Sequence, residues 1–435
     1  FADQLTFLCY DYVDLAWRHT YCGLFSMKKD GVTWYFLDNE QYFDRPELYG
    51  YVDDGERFGF FSRAVVKMLD HLEFWPDVIH CNDWQTALIP IYLKDDGVRE
   101  DRYRSIRTVL TIHNIEYQGK YGADTVEDLF GLNRGDWYES GVLQMDGCVN
   151  LMKGAMVTAD AVTTVSPTYA AQLRESAYAA GLDSVVRSIQ WKFSGVLNGI
   201  DMVSYDPECD PDLPARYTAA EPKGKTLCKA ALQQELGLAQ EEGTPVLSMV
   251  TRLVGHKGVD LVCQALDGIM ATGCQLVVLG SGDGGYENFF RHAQNRYPGR
   301  LCAWIGYNEG LSRRIYAGSD LFLMPSKSEP CGLSQMIAMR YGAVPIVRQT
   351  GGLNDTVRSC QVGQPDGNGY VFAAYDAGAM AGGGPVPRRC RGLPHGAAAG
   401  HGGRFQLGSQ RRGLPEYLWK AAGAVSPGCN TGGYL

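Results

Sequence analysis

Short, nearly continuous apolar runs recur along this chain, each followed by a helical pattern, and this succession limits the folds open to it more than any other feature. The runs are DVIHCN (77–82), TVLTIHN (108–114), AVTTVS (161–166), PVLSMVT (245–251), QLVVLG (275–280), LCAWIG (301–306), DLFLMPS (320–326) and AVPIVR (343–348). Helical patterns lie between them, such as RAVVKMLDHL (63–72), NLMKGAMVTAD (150–160), CKAALQQELGL (228–238) and KGVDLVCQALDGIM (257–270). A strand that is apolar throughout must be covered on both faces, and intervening helices do this in a parallel sheet. The class is therefore α/β, doubly wound and Rossmann-like, and 435 residues suffice for two such domains. The segment 201–225 is rich in Pro and Asp and has neither period, so it reads as a linker. It would separate an N-terminal domain (1–200) from a second domain (226–378). Ligands of open α/β sheets bind beyond the carboxyl ends of the strands, so two such domains would face each other across a cleft holding the ligand.

Charge and composition exclude several functions. A formal net charge of −9 argues against a broad basic surface for nucleic acid, so no nucleic-acid partner is expected and any anion must meet locally placed cations. No apolar stretch reaches the roughly 18 to 20 residues of a membrane span, and FADQLTFLCYDYVD carries acids where a signal peptide has Lys or Arg. The expectation is a cytoplasmic protein with no membrane partner. Thirteen cysteines, scattered and without a CxxC pair, point to buried thiols rather than a zinc site or disulfide framework. The start at Phe1, directly in a strand-like run, suggests that the natural protein has a further N-terminal piece. From about Ala379 glycine rises to roughly a quarter of residues against a usual ~7%, and both periods vanish. A flexible basic tail has this composition, as does a frameshift into GC-rich coding sequence. The strand and helix begun in NGYVFAAYDAGAM break off, which favours the frameshift. This aberrant tail (379–435) is expected to be disordered or frameshifted.

The residues that carry chemistry follow strands. Arg252 and Lys257, in TRLVGHKG, come after PVLSMV at a helix start, where unpaired N–H groups and the helix dipole favour an anion such as a diphosphate. Two solvated surface cations are the plain alternative. LGSGDGG (279–285) has GxGxxG spacing, but RLCAWIGY supplies no acid for a ribose, so an ordinary strand-to-helix turn is the better reading and NAD binding a distant one. In PSKSEPCGL, Glu329 could accept sugar hydroxyls, and the amides of Cys331, Gly332 and Leu333 could donate outward. Thr350, Gly351 and Gly352 form a second anion cradle after AVPIVR. In the first half, Asp83 and the pair His113 and Asn114 end apolar strands, so their polar groups would converge at one sheet edge, as structural or as functional groups. Asp210-Pro211-Asp212 mimics a DxD metal motif but sits in the linker, and no metal site is assigned.

Taken together, HCNDWQTAL, TIHNIEYQGKYG, VTTVSPTYA, GVLNGID, TRLVGHKGVD, IGYNEGLSRRIYAGSD, PSKSEPCGLSQM and RQTGGLNDTV resemble the bacterial glycogen synthase and plant starch synthase family, over about Phe7 to Asp376. The resemblance implies a GT-B fold and a retaining glycosyltransferase that moves glucose from ADP-glucose to the non-reducing end of an α-1,4-glucan, with no metal or other cofactor. It implies that Arg252 and Lys257 neutralise the departing diphosphate, that Glu329 grips the glucose and that His113 faces it. The amides around Cys331, Gly332, Leu333, Thr350, Gly351 and Gly352 would add donors, Tyr307 would stack on adenine, and Asp83, Asn114 and Asn198 would line the cleft. The family's Lys-x-Gly-Gly-Leu loop lies before the start of this chain, and the tail replaces its C-terminal helices, so this exact polypeptide is expected to be weak or inactive. Ser328 stands where the bacterial family more often has an aromatic residue. A NAD-dependent dehydrogenase and a non-catalytic glucan-binding protein are the competing readings.

Overall fold

The computed structural model describes residues 2–96, 101–360 and 367–382. They form two compact units: the residues up to Thr164 with Gln172–Ser194, and Val165–Ala171 with the residues from Gly195 onward.

The first unit opens with an antiparallel sheet of β1 (Thr6–Leu15), β2 (Arg18–Lys29) and β3 (Val32–Asp38), in that order. Its inner face, with Val13, Leu15, Cys22 and Leu24, packs on Phe60, Ala64 and Met68 of the helix Asp54–Met68. The outer face presents Tyr10, Tyr12, Tyr21 and Trp34 to solvent. Sequence pattern detected only a strand-like start here, because aromatic residues on the solvent side mask the apolar–polar alternation. Next come β4 (Val78–Asn82) and β5 (Arg107–Ile112), then a small sheet of β6 (Lys120–Tyr121), β7 (Gln144–Met145) and β8 (Cys148–Asn150). With β9 (Ala161–Thr164) and β10 (Phe193–Gly195), β4 and β5 make a four-stranded sheet of order β10-β9-β5-β4, in which β4, β5 and β9 run parallel. Their carboxyl ends share one edge.

The second unit is a six-stranded parallel sheet of β11 (Val246–Val250), β12 (Gln275–Gly280), β13 (Leu301–Ile305), β14 (Leu321–Met324), β15 (Val344–Arg348) and β16 (Tyr370–Phe372). The order is β13-β12-β11-β14-β15-β16, so the winding reverses between β11 and β14. All eight runs read as strands in the sequence are strands here. β12 is buried from Gln275 to Leu279, as a strand covered on both faces must be.

Residues 201–222 are not an open linker. Leu213 and Tyr217 are buried in the second unit's core, and the Tyr217 hydroxyl donates to Tyr341 O at 2.8 Å. The segment lacks a period because aspartates order it: Asp201 Oδ1 accepts the N–H groups of Val203 and Ser204, Asp206 Oδ1 that of Glu208, and Asp210 Oδ1 that of Asp212. The buried Asp210 also takes Arg313 Nη1 at 3.3 Å and the Tyr341 hydroxyl, so this carboxylate is committed to the scaffold. The compact units therefore part at Gly195 rather than at 201, and the next helix starts at Lys223. The cysteines also differ from expectation. Of those described, five are buried, four are partly exposed, and Cys148 and Cys209 are exposed. The strand and helix begun in NGYVFAAYDAGAM are Tyr370–Phe372 and Ala377–Gly382, whereas 383–435, nearly all of the glycine-rich tail, lies outside the described residues.

Candidate active site

Where strand order reverses in a doubly wound sheet, the loops leaving neighbouring strands diverge and open a crevice. In the second unit the loops leaving β11 and β14 carry Lys257 and Glu329. Lys257 Nζ lies 2.7 Å from Glu329 Oε2, with the carboxylate side chain 6% exposed and the ammonium side chain 18% exposed. Ser326 Oγ donates to the same oxygen at 3.1 Å. The helix expected to start around Lys257 begins two residues later, at Val259; Gly255–Lys257 is a 3₁₀ turn closed by Gly258 in the left-handed region. Arg252, five residues before Lys257, is exposed.

Backbone contacts fix this geometry. The Lys327 N–H donates to His256 O at 2.9 Å, tying the β14 loop to the β11 loop. A Cβ on Gly258 would sit 2.1 Å from Pro325 O, so only glycine admits this approach. Arg348, at the end of β15, donates from Nε to Ser326 O at 2.8 Å and from Nη2 to Lys327 O at 2.5 Å. The Thr350–Gly352 segment closes in from the far side, its Gly352 N–H donating to Glu329 O and Pro330 O. The Gly352 amide is thus spent on the loop and is not an outward donor, contrary to the sequence-based expectation. Thr350 Oγ1 is buried without a hydrogen-bond partner among the described residues, while Cys331 is buried, Gly332 is left-handed and Leu333 is exposed. Burial raises the Cys331 thiol to about 11, with the main-chain N–H of Asn198 opposing. Tyr307 is 88% exposed at the end of β13, a free ring face beside the sheet.

The GxGxxG segment is a packed turn. A Cβ on Gly280 would meet Thr251 O at 1.8 Å, the Gly282 N–H donates to Glu287 Oε1, and the Asp283 N–H donates to Leu253 O. These glycines bring the turn against the TRLV loop, and the amides of Gly282 and Asp283 are spent within it.

In the first unit the predicted convergence is present. β4 and β5 are in register, Asn82 opposite Thr111, so the residues after them meet. Asp83 Oδ1 accepts the His113 N–H at 2.7 Å, and His113 Nε2 lies 3.0 Å from Asn82 Oδ1. Burial pushes the Asp83 carboxyl up, and the main-chain N–H groups of His113 and Asn114 pull it back. Asp83 also takes φ +56°, a left-handed strain uncommon outside glycine. Asn114 Oδ1 caps its own turn by accepting the Glu116 N–H, so this group is partly structural.

Sequence reasoning missed Ser326, Arg348 and Asp355. Asp355 holds the strand-end segment VSPT by accepting the Ser166 hydroxyl, the Thr168 N–H at 3.0 Å and the Thr168 hydroxyl at 2.5 Å. The available signal was position: Arg348 closes an apolar strand, where a buried charge needs a nearby partner, and Asp355 lies four residues past Gly351.

Residues 2–188 match the family model for the starch synthase catalytic domain, and residues 234–383 match glycosyl transferases group 1. Two α/β units with a charged crevice at a strand switch point, matched to these domains, define a glycosyltransferase. The chain is 48% identical over 365 residues to the glycogen synthase of Geobacillus thermodenitrificans, covering 84% of this chain and 75% of that one. It is 46% identical over 372 residues to that of Ligilactobacillus salivarius, covering 86% and 78%. The catalytic domain of starch synthase IV from Arabidopsis thaliana, solved bound to ADP and acarbose, superposes with a TM-score of 0.87 at 32% identity, covering 97% of this chain and 89% of that one. The chain belongs to the glycogen and starch synthase family, with the GT-B fold. This displaces the dehydrogenase reading, as the spent GxGxxG amides do independently. No described helix is long and apolar enough to cross a membrane.

Proposed function

We propose that the chain is built to transfer glucose, with retention, from ADP-glucose to the non-reducing end of an α-1,4-glucan in the cytoplasm, using side chains and no metal or other cofactor. The observation that carries this reading is the Lys257–Glu329 pair at the β11/β14 switch point. The difficult part of glycosyl transfer from a nucleotide sugar is the negative charge left on the diphosphate, and fixed cations aimed at that charge are usually the largest catalytic contribution. Lys257 offers three N–H donors, one of them engaged by Glu329, so two remain for phosphate oxygens. Arg252 adds a second cation on the same loop. Both bonds to the Glu329 carboxylate fall on Oε2, which leaves Oε1 to hold glucose hydroxyls. Tyr307 supplies the stacking face for adenine. His113 and Asp83 form the polar edge of the first unit, with His113 held through its main chain by the Asp83 carboxylate.

The relative solved with ADP and acarbose supports the nucleotide and glucan classes. Calorimetric titration with ADP, with UDP and NAD as comparison ligands, tests the donor site. Saturable ADP binding that is lost in Lys257→Ala is expected. Equal binding of ADP by wild type and Lys257→Ala, both folded by circular dichroism, would remove Lys257 from the donor site.

A further inference from the structure

Among the described residues the chain passes between its units three times: after Thr164 into the second, after Ala171 back into the first, and after Ser194 into the second again. The first and last of these passages meet within the second unit. Gly195 packs on the first so closely that a Cβ on it would lie 2.0 Å from Ser166 O and 2.4 Å from Pro167 N. Asp355 grips the same stretch. Its Oδ2 accepts the Ser166 hydroxyl and the Thr168 N–H, its Oδ1 accepts the Thr168 hydroxyl, and the neighbouring Asn354 Nδ2 donates to Thr168 Oγ1 at 3.0 Å. A carboxylate accepting from neutral donors makes the stronger, charge-assisted kind of bond. Ser166 is fully buried and in turn accepts the Tyr169 N–H at Oγ and the Ala170 N–H at O, both at 2.9 Å. Ser194 Oγ, at the last passage, is buried without a hydrogen-bond partner among the described residues, so the passage is one polar group short of full satisfaction.

We propose that Asp355 is a positioning residue for the transfer reaction, coupling occupancy of the crevice at Thr350–Gly352 to the passage Val165–Ala171; the inference rests on that crevice being the donor site. The helix Gly351–Thr356 makes the connection. Its first turn is fixed to the crevice by the Gly352 N–H, which donates to Glu329 O and Pro330 O, and its last turn carries Asn354 and Asp355. Gly352 and Asp355 are separated by about 4.5 Å of helix rise, and the Thr356 hydroxyl donates back to Gly352 O, so the two ends move as one body. Gln335 Nε2 donates to Thr356 Oγ1 and to the carbonyls of Cys331 and Gly332, which ties this helix to the loop bearing Glu329. A ligand that orders the crevice loops therefore orders the passage, because the bonds from Asp355 end on Ser166 and Thr168. An aspartate needed only to cap the helix Pro167–Gln172 could stand on any neighbouring element, and this one stands on the element that starts in the crevice.

Hydrogen exchange of the full chain, read by mass spectrometry on peptides covering 165–171 with and without ADP, tests this. The hydrogen-bonded amides of Thr168, Tyr169 and Ala170 exchange only when the grip opens. ADP that binds the gripped form alone slows their exchange by up to about tenfold when present at about ten times its Kd. This slowing is expected in wild type and is expected to vanish in Asp355→Asn, with ADP affinity by calorimetry kept within about threefold. A purely structural aspartate would raise exchange equally with and without ADP, and an ADP-dependent ratio in Asp355→Asn equal to that of wild type would overturn the inference. Thr168→Val removes a hydroxyl from the other side of the grip without touching the helix Gly351–Thr356. It is expected to reduce the ratio too, and it decides the case if Asp355→Asn does not fold or does not bind ADP: a wild-type ratio there counts against the coupling. ADP binding by wild type with unchanged exchange at 165–171 would overturn the coupling and leave the donor site standing. No ADP binding by a folded wild-type chain would overturn the donor-site reading and this inference together.

Discussion

Each unit holds a buried or nearly buried ion pair, and the two pairs are built for different ends. In the first unit Arg57, 3% exposed, donates to Asp54 Oδ1 at 2.5 Å, to Tyr42 O at 2.7 Å and to Leu48 O at 3.2 Å. Asp54 Oδ2 accepts the N–H groups of Gly50 and Tyr51. Every strong partner is internal, and the pair pins the 48–51 loop to the helix Asp54–Met68. In the second unit Lys257 is more open, spends one donor on Glu329 and stands at the end of the central strands. A fully satisfied pair supports the fold, whereas a pair with spare donors facing a crevice can respond to a ligand.

Removing each cation would break this contrast if it is misdrawn. Arg57→Ala leaves Asp54 buried without its cation and is expected to cost about 3–5 kcal/mol in urea unfolding, since the surviving charge is uncompensated. Lys257→Ala is expected to lower turnover about 10²- to 10³-fold in a purified chain that shows synthase activity, with a smaller loss of melting temperature than Arg57→Ala. The reverse pattern, a larger stability loss at Lys257 with turnover retained, would make it a scaffold residue. Gly351 sits at φ +43°, and a Cβ there would lie only 1.9 Å from Glu329 O, so Gly351→Ala is expected to cost about 1–3 kcal/mol and to weaken ADP in parallel.

The first unit's polar edge gives a smaller, pH-dependent effect. Burial raises Asp83, so its charge is a cost in the folded state above the folded pKa and no cost once both states are protonated. Asp83→Asn keeps an acceptor for the His113 N–H. It should therefore raise stability at pH 7, with a gain that shrinks as pH falls toward the ordinary carboxyl value of 3.8, as urea titrations at several pH values would show. The mildest probe is thiol labelling mapped by mass spectrometry. Among the described cysteines, Cys148 and Cys209 should alkylate first at pH 8, while Cys81, raised to about 12, and Cys331, raised to about 11, should resist until unfolding.

The second unit was legible in the sequence because its central strands β11, β12 and β14 are buried on both faces and so read as apolar runs. The opening meander was not, since Tyr10, Tyr12 and Trp34 place large rings on the side that normally carries polar residues. Residues 201–222 misled for a different reason: side-chain turns replace periodic backbone bonds, and a hydropathy pattern cannot see them. At the site, Lys257 and Glu329 were found from their places after strands, and the structure brings them to 2.7 Å. The fate of each amide could not be read, because whether Gly352 donates outward or to Glu329 O depends on loops far apart in sequence.

The glycine contacts around the crevice have a consequence for how the family's sequences can vary. Gly258 against Pro325 O, Gly351 against Glu329 O and Gly352 against Cys331 O make three separate loops share one set of tolerances, with no side chain to adjust. A change in any one of these loops is then felt by the other two, so they can drift only together. Substrate preference is accordingly expected to be tuned at open positions such as Tyr307 and Ser328, where a new side chain can be tried without moving the backbone that holds Lys257 and Glu329.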